Sequence, residues 1–412
     1  MMKKLMKWVE EKLLPVLNKI TANTWFDAVA KSVMATVPLT LIGSVVTLWG
    51  VARNYVDLPD ISVINTYTFG IISLFVVFLI PFNLMINKGK RNKSIVSGFA
   101  SMAMFLIVCK AVTVSEGTAF NMSYFGAGGL FTAITIGLFA GFIMYQFSKF
   151  SFFGEDSVMP SFVVDWFDSL LPILVGIIIA FVVAYTFNID VFGLIAVLFS
   201  PLMDISQSFV GFVILNFISV FFYSVGVSTW VISPITSPVM SWGIAQNAEL
   251  VAAGKKAIYI NHSGVKNHFT IGGAGATLPL TILCAFSKSK KYKTMGRVSM
   301  VPAIFNINEP IIFGVVAFNP ILMVPMWILG LILPAITFIW LELGFATIAS
   351  EVFGMWYMPP LLNVYLQTHD IRNAILALLL FVIALLVWYP FFKIAEKQEV
   401  EKEVLKEQEL KK

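Results

Sequence analysis

Residues 371–392 read "IRNAILALLLFVIALLVWYPFF". After Arg372 the run carries no charge. A helix that crosses the hydrocarbon core of a bilayer needs ~20 mostly apolar residues, and this stretch supplies them. It has company. Comparable runs lie near 29–51, 66–86, 94–113, 128–147, 169–188, 208–226, 269–286 and 321–345. Stretches at 190–204, 227–245, 299–319 and 352–367 are also apolar, but short or broken by Pro, Gly and polar residues. Such pieces fit amphipathic, re-entrant or broken helices. The pattern predicts an all-α polytopic membrane protein, with about ten spans plus re-entrant hairpins.

Composition agrees. The chain has 412 residues, 58% hydrophobic and 12% charged, whereas a soluble chain carries roughly 25% charged residues. The mean hydropathy is +0.86. One membrane domain therefore replaces the two or three soluble domains that length alone would suggest.

Loop charges orient the chain, because Lys and Arg stay on the cytoplasmic side. Lys3, Lys4, Lys7, Lys12 and Lys19 crowd the N-terminus, and "NKGKRNKS" (87–94) and "SKSKKYKTMGR" (287–297) are strongly basic. The segment "TVSEGTAFNMSYF" (113–125) has no basic residue. Both termini and the basic loops are expected inside. The net charge of +5 comes from these loops. It fits anionic lipid and gives no support to a nucleic-acid partner.

Residues 1–24 place Leu5, Trp8, Val9 and Leu13 at helical spacing among lysines. They predict an amphipathic interfacial segment, not a cleavable signal. Residues 394–412 are laced with charge and read as a solvated helical tail, with partner docking as the other option. Between them, 25–393 form the membrane domain. Cys109 and Cys284 lie in apolar runs as small hydrophobes. His262, His268 and His369 show no metal-ligand spacing, and no P-loop or GxGxxG occurs. No metal, cofactor or nucleotide is expected. A transporter or channel without its own energy-coupling module remains.

"IFNINEPIIFG" (304–314) carries the sharpest polar signal. A carboxylate at membrane depth is costly and faces a cavity or a partner. Pro310 disfavours helix at Glu309, and Asn306 and Asn308 add amides beside it. The reading is a hairpin tip or helix break lining a wet cavity, where a carboxylate and amides can bind hydroxyl groups. The plain alternative is an interfacial loop with Glu309 near a helix N-terminus. Trp230 and Trp242, in a Ser/Thr-rich stretch (226–247), suit sugar stacking or an interface belt equally. Gly272, Gly273 and Gly275 suit close helix packing, or exposure of backbone amides to a ligand. The insert 248–269 reads as a polar loop. Within it His268, directly before the glycine segment, is a better ligand candidate than His262.

At these residues the chain resembles the lactose/cellobiose/chitobiose family of membrane (IIC) permeases of the bacterial phosphotransferase system. "FTIGGAGATLPLTIL" (269–283) and "SKSKKYKTMGRVSMVPAIFNINEPIIFGVVAFNPILMVP" (287–325) look like the family core. "AVAKSVMATVPLTLIGSVV" (28–46), "YFGAGGLFTAITIGLFAGFIM" (124–144), "MPSFVVDWFDSLLP" (159–172) and "MWYMPPLLNVYLQTHDIRNAILALLLFVIALLVWYPFFK" (355–393) are similar to other family segments. The resemblance implies a dimer in the bacterial inner or plasma membrane, with two re-entrant hairpins per subunit. It implies inward passage of a β-linked disaccharide or β-glucoside. A separate IIB subunit, recharged by IIA, then phosphorylates the sugar; the chain ends soon after Lys393, so both are expected on other polypeptides. The IIC chain is then a transport subunit rather than an enzyme on its own.

By motif, Glu309 matches the family's sugar-binding acid near the hydroxyl that receives phosphate, and Asn308 matches its neighbour. One departure stands out. Where the family carries Trp-x-x-Gly-x-His-Gly, this chain reads "YSVGVST" (223–229), so Tyr223, Ser228 and Thr229 replace Trp, His and Gly. A serine cannot carry the charge of a histidine. An uncoupled or ion-coupled transporter of another polar solute therefore stands as the alternative. The expected binding set is Glu309, Asn308, Tyr223, Ser228, Thr229, His268, Trp242 and Gly273, with Glu309 the catalytic candidate.

Overall fold

A computed structural model describes Glu11, Lys19 and residues 22–410. Excepted are 37, 40–41, 43–45, 47–48, 51, 54–55, 116, 154–158 and 226–232. The amphipathic N-terminal segment therefore lies mostly outside the described residues. The chain divides into two compact units, residues 14–203 and residues 204–412 with the first thirteen.

The first unit holds α1 (Thr24–Ala35), α2 (Ile72–Asn87), α3 (Ser94–Val108), α4 (Leu130–Phe147), α5 (Ser161–Phe181) and the start of α6 (Val191–Gln207). Asn23 caps α1, accepting from the backbone N–H of Trp25 and Phe26, so two of the donors left open at the helix start are satisfied. A hairpin, β1 (Val112–Val114) with β2 (Gly117–Ala119), pairs Val112 opposite Ala119. It occupies the stretch that lacks basic residues. Helix α2 packs on both α3 and α4. Small residues permit this: a β-carbon on Gly98 would strike the Phe78 ring, and one on Gly137 would press on Ile80. Polar groups are matched within the apolar surroundings. Ser73 Oγ donates to the Gly126 carbonyl at 2.6 Å, and Asn83 Nδ2 to Ser32 Oγ at 3.0 Å. Lys93 of the first basic loop is buried against Asp168 at 3.5 Å, and Asp168 also accepts from the Phe152 amide.

The second unit holds α7 (Phe209–Ser224), α8 (Ser233–Ala252), α9 (Leu278–Ala285), α10 (Lys290–Ile304), α11 (Pro320–Glu342), α12 (Pro360–Thr368) and α13 (Ile371–Leu410). Helix α11 packs against α7 and α13, and α9 against α10. Phe212, Leu280, Met326, Leu329 and Trp388 form the middle of one buried cluster.

Among the described residues, five helical segments are long and apolar enough to cross a bilayer: Ser62–Asn87, Ala127–Phe147, Phe162–Thr186, Pro320–Glu342 and Ile371–Lys406. The pair α6 and α7 passes the same test together.

Two segments differ from their sequence reading. The run 269–286 is not a continuous span. Only Leu278–Ala285 is helical, about 12 Å at 1.5 Å per residue, against a hydrocarbon core of ~30 Å. Ahead of it Gly272, Gly273 and Gly275 take φ of +77°, +97° and +85°, a conformation that glycine reaches without strain. The tail, in turn, is not a free solvated extension. Helix α13 runs unbroken to Leu410 and lies against the second basic loop. Glu396 accepts from Ser287 Oγ at 2.8 Å and Lys288 N at 2.7 Å. Glu403 accepts from Ser289 Oγ at 2.7 Å, Lys290 N at 3.0 Å and Lys291 N at 2.9 Å. These amides are the open donors at the start of α10. A carboxylate there meets both unpaired N–H groups and the positive end of the helix dipole.

Candidate functional site

The site forms within the second unit, around the break at 304–318. Helix α10 ends at Ile304, and Asn306 takes φ of +60°. A single turn (Glu309–Ile311) follows, then a π-type turn (Ile312–Val316), and Phe318 turns left-handed again at +58°. Pro310 sits at the first turn, where its missing N–H costs nothing. The backbone is irregular where the sequence placed the break, and the consequence is a carboxylate held at a helix start.

Asn306 and Asn308 hold this break against the glycine loop 270–277. Asn306 Oδ1 accepts from Gly272 N at 2.8 Å, while its Nδ2 donates to the carbonyls of Trp356 and Met358. Asn308 Nδ2 donates to the Ala274 carbonyl and to Thr277 Oγ1, both at 2.9 Å. Thr277 Oγ1 in turn donates to the Gly272 carbonyl at 2.6 Å, and Trp388 Nε1 to that of Ala276 at 2.9 Å. The two amides expected to read hydroxyl groups therefore spend their N–H donors on the scaffold. Asn308 keeps its oxygen, an acceptor only.

Glu309 is different. Its side chain makes no ion pair among the described residues and opens onto a cavity of about 320 Å³, within the size range of small-ligand sites. Tyr223, at the end of α7, donates a side-chain hydrogen bond to the Glu309 carboxylate and stacks edge-on against Phe313. Val220, Leu329 and Leu333 supply apolar wall, and Trp356 an aromatic one. An apolar cavity with a few fixed polar groups is the ordinary form of a small-molecule site.

The predicted residues separate here. Glu309, Asn308, Tyr223 and Gly273 line one cavity. Ser228 and Thr229 lie outside the described residues. Trp242 is not among the cavity-lining residues and stacks edge-on with Tyr259 at 4.9 Å. His268 is buried away from the cavity, with Nδ1 at 3.0 Å from the Val265 carbonyl and Nε2 at 2.8 Å from Asn373 Oδ1. It ties the short turn Val265–His268 to α13. The later part of the insert read as a polar loop is thus packed: Asn261, His262, Asn267 and His268 are all buried, while residues 251–256 are exposed. Asn267 bonds Asn363 at 2.7 Å.

Sequence reasoning missed Lys266, Asn216 and Trp356, which also line the cavity. Lys266 sat in the insert among residues read as solvated. Among the described residues, no three His, Cys, Asp or Glu side chains gather as metal ligands.

Known proteins decide the family. Residues 30–330 match the family model described as "Phosphotransferase system, EIIC". The chain belongs to that EIIC family. It is therefore an integral membrane subunit of a sugar phosphotransferase system, as its apolar helices require. The permease IIC component YwbA of Bacillus subtilis is 28% identical over 424 residues, covering 95% of each chain. The lactose-specific EIICB component of Staphylococcus haemolyticus is 27% identical over 429 residues, covering 98% of this chain and 72% of that one. The crystal structure of ChbC, the IIC component of an N,N'-diacetylchitobiose-specific phosphotransferase system, superposes with a TM-score of 0.85. It covers 96% of this EIIC chain and 99% of ChbC at 24% identity, a likeness of fold.

Proposed function

We propose that this EIIC chain carries a β-linked disaccharide or β-glucoside inward, and presents one sugar hydroxyl for phosphorylation by the system's IIB component. One observation carries the reading: Glu309 faces a cavity without an ion-pair partner among the described residues, while the neighbouring amides are spent on holding it there. A carboxylate so placed accepts a hydrogen bond from a sugar hydroxyl. The sugars named for the lactose and N,N'-diacetylchitobiose relatives are β-linked disaccharides and support the substrate class.

In the proposed reaction the hydroxyl oxygen attacks phosphorus on the IIB phosphocysteine. An O–P bond forms, the P–S bond breaks, and the thiolate leaves. The hydroxyl proton passes to the Glu309 carboxylate. Such transfers need chiefly positioning and charge stabilisation, and general-base help is typically worth 10²–10⁴-fold. In the same reading the chain has about ten spans with two re-entrant hairpins, pairs as a homodimer, keeps both termini in the cytoplasm and depends on IIA to recharge IIB. The glycine loop 270–277 and the break 304–318 are irregular segments that suit hairpin tips.

A second reading rests on Ser228, which stands where the resemblance expects a charged-capable histidine. In it the fold moves another polar solute without phosphotransfer. Glu309→Gln tests the site under either reading. Uptake should vanish while the variant remains folded and membrane-inserted; normal uptake would remove Glu309 from the site.

A further inference from the structure

The cavity holds two charged side chains among its described lining residues, Glu309 and Lys266, and they do not pair. Lys266 makes no ion pair or side-chain hydrogen bond among the described residues. Its position is nevertheless fixed. The Lys266 carbonyl accepts from Thr270 N and Thr270 Oγ1, both at 2.8 Å. The turn that carries it is pinned on each side, by Gln367 Nε2 on the Ser263 carbonyl at 3.0 Å and by Asn267 on Asn363. The turn begins at Gly264 with φ of +97°, and a β-carbon there would strike the Gln367 side chain.

Several neutral donors around it are committed to the protein, while the Asn308 oxygen is left open. Asn216 donates to the Phe212 carbonyl, Thr270 to that of Lys266, and Asn306 and Asn308 to the scaffold as described. Lys266 is half-buried in the cavity wall, and a cation partly withdrawn from water without a counter-charge is costly. A ligand that brings an anion gives Lys266 its missing counter-charge, and a hydroxyl on it adds a contact to Glu309 beside that of Tyr223. A wholly neutral sugar makes the Glu309 contact and leaves the amine with weaker, uncharged acceptors.

Resting on the sugar-transport reading of this cavity, we infer that the preferred substrate is an acidic β-linked disaccharide, one ring bearing a carboxylate that pairs with Lys266 while a hydroxyl of the other ring meets Glu309. Lys266 then sets which sugar is taken, and Glu309 sets what is done to it.

The test measures binding to the purified full-length protein in detergent, followed by tryptophan fluorescence, for which Trp356 at the cavity wall is a reporter. The probes are a glucuronosyl-β-glucose disaccharide and its neutral counterpart, cellobiose. The acidic probe should bind about ten- to a hundredfold more tightly, the range expected when a hydrogen bond gains a full charge. Lys266→Gln should erase that preference, costing the acidic probe far more affinity than it costs cellobiose. Lys266→Arg should keep most of it. Equal or better binding of cellobiose by the native chain would overturn the inference and leave the sugar site standing, as would an equal loss of both probes in a folded Lys266→Gln. If neither probe binds, the sugar reading fails and takes this inference with it. Melting temperatures of both variants identify any loss that comes from misfolding.

Discussion

Asn308 donates its side-chain amide to the carbonyl of Ala274 at 2.9 Å. Thirty-odd residues apart in sequence, the Asn-Glu-Pro turn and the glycine loop are thereby locked together, and the position of Glu309 depends on the lock. Removing the amide leaves the Ala274 carbonyl and Thr277 hydroxyl without their donor. Each such loss costs about 1–3 kcal/mol where the group stays dry. Asn308→Ala should therefore lower the melting temperature and weaken sugar binding together. A variant that loses binding at unchanged stability would assign Asn308 a direct contact instead.

Gly273 faces the same lock from the other side. A β-carbon there would collide with the Asn308 amide, and its φ of +97° is foreign to other residues. Gly273→Ala should cost about 1–3 kcal/mol through strain and overpacking and displace Glu309. The check is transport alongside thermal unfolding. Native uptake by Gly273→Ala would show that the loop tolerates a side chain.

Trp242 should matter less than Glu309. It packs on Tyr259 outside the cavity lining, so Trp242→Ala removes packing rather than a ligand contact. Uptake should fall by a modest factor with sugar affinity preserved. A loss of affinity equal to that in Glu309→Gln would place Trp242 on the sugar.

The tail helix should behave as part of the domain. Glu403 satisfies two backbone amides at the start of α10, a capping arrangement worth about 1 kcal/mol. Glu403→Ala should expose the end of α13 to limited proteolysis several-fold faster, without changing sugar binding. An unchanged cleavage rate would mean that these contacts contribute nothing in solution.

Asp370 offers a pH signature at the turn before α13. Burial pushes its carboxyl up, but hydrogen bonds from Arg372 and Thr347 outweigh this and hold it well below the ordinary value of 3.8. A folded pKa below the unfolded one adds stability that is complete above the unfolded value and fades as pH falls toward the folded one. The melting-temperature gap between native protein and Asp370→Asn should thus stay constant from neutral pH down to about 5 and narrow below 3.8. A gap that narrows with rising pH would contradict the assignment.

Long uncharged runs such as 371–392 made the membrane fold legible, since lipid leaves few other uses for them. The placement of Glu309 on a cavity was legible because a lone acid beside Pro in an apolar run is expensive without purpose. The fate of the asparagines was not. Composition shows that Asn306 and Asn308 carry donors, and only the three-dimensional arrangement shows the carbonyls of Ala274, Trp356 and Met358 consuming them. The run 269–286 misled because hydropathy counts glycine as permissible in a helix and is blind to positive φ. His268 and Lys266 stand two residues apart on one short turn. One is spent on Val265 and Asn373, the other lines the cavity, and spacing alone cannot choose between them.

The most direct measurement is uptake of labelled β-disaccharides, neutral and acidic, into membrane vesicles holding this chain, with phosphoenolpyruvate and the soluble phosphotransferase proteins added or omitted. The account predicts internal label as sugar phosphate, only with the complete relay, and none with Glu309→Gln. Free sugar accumulating inside without the relay would contradict it.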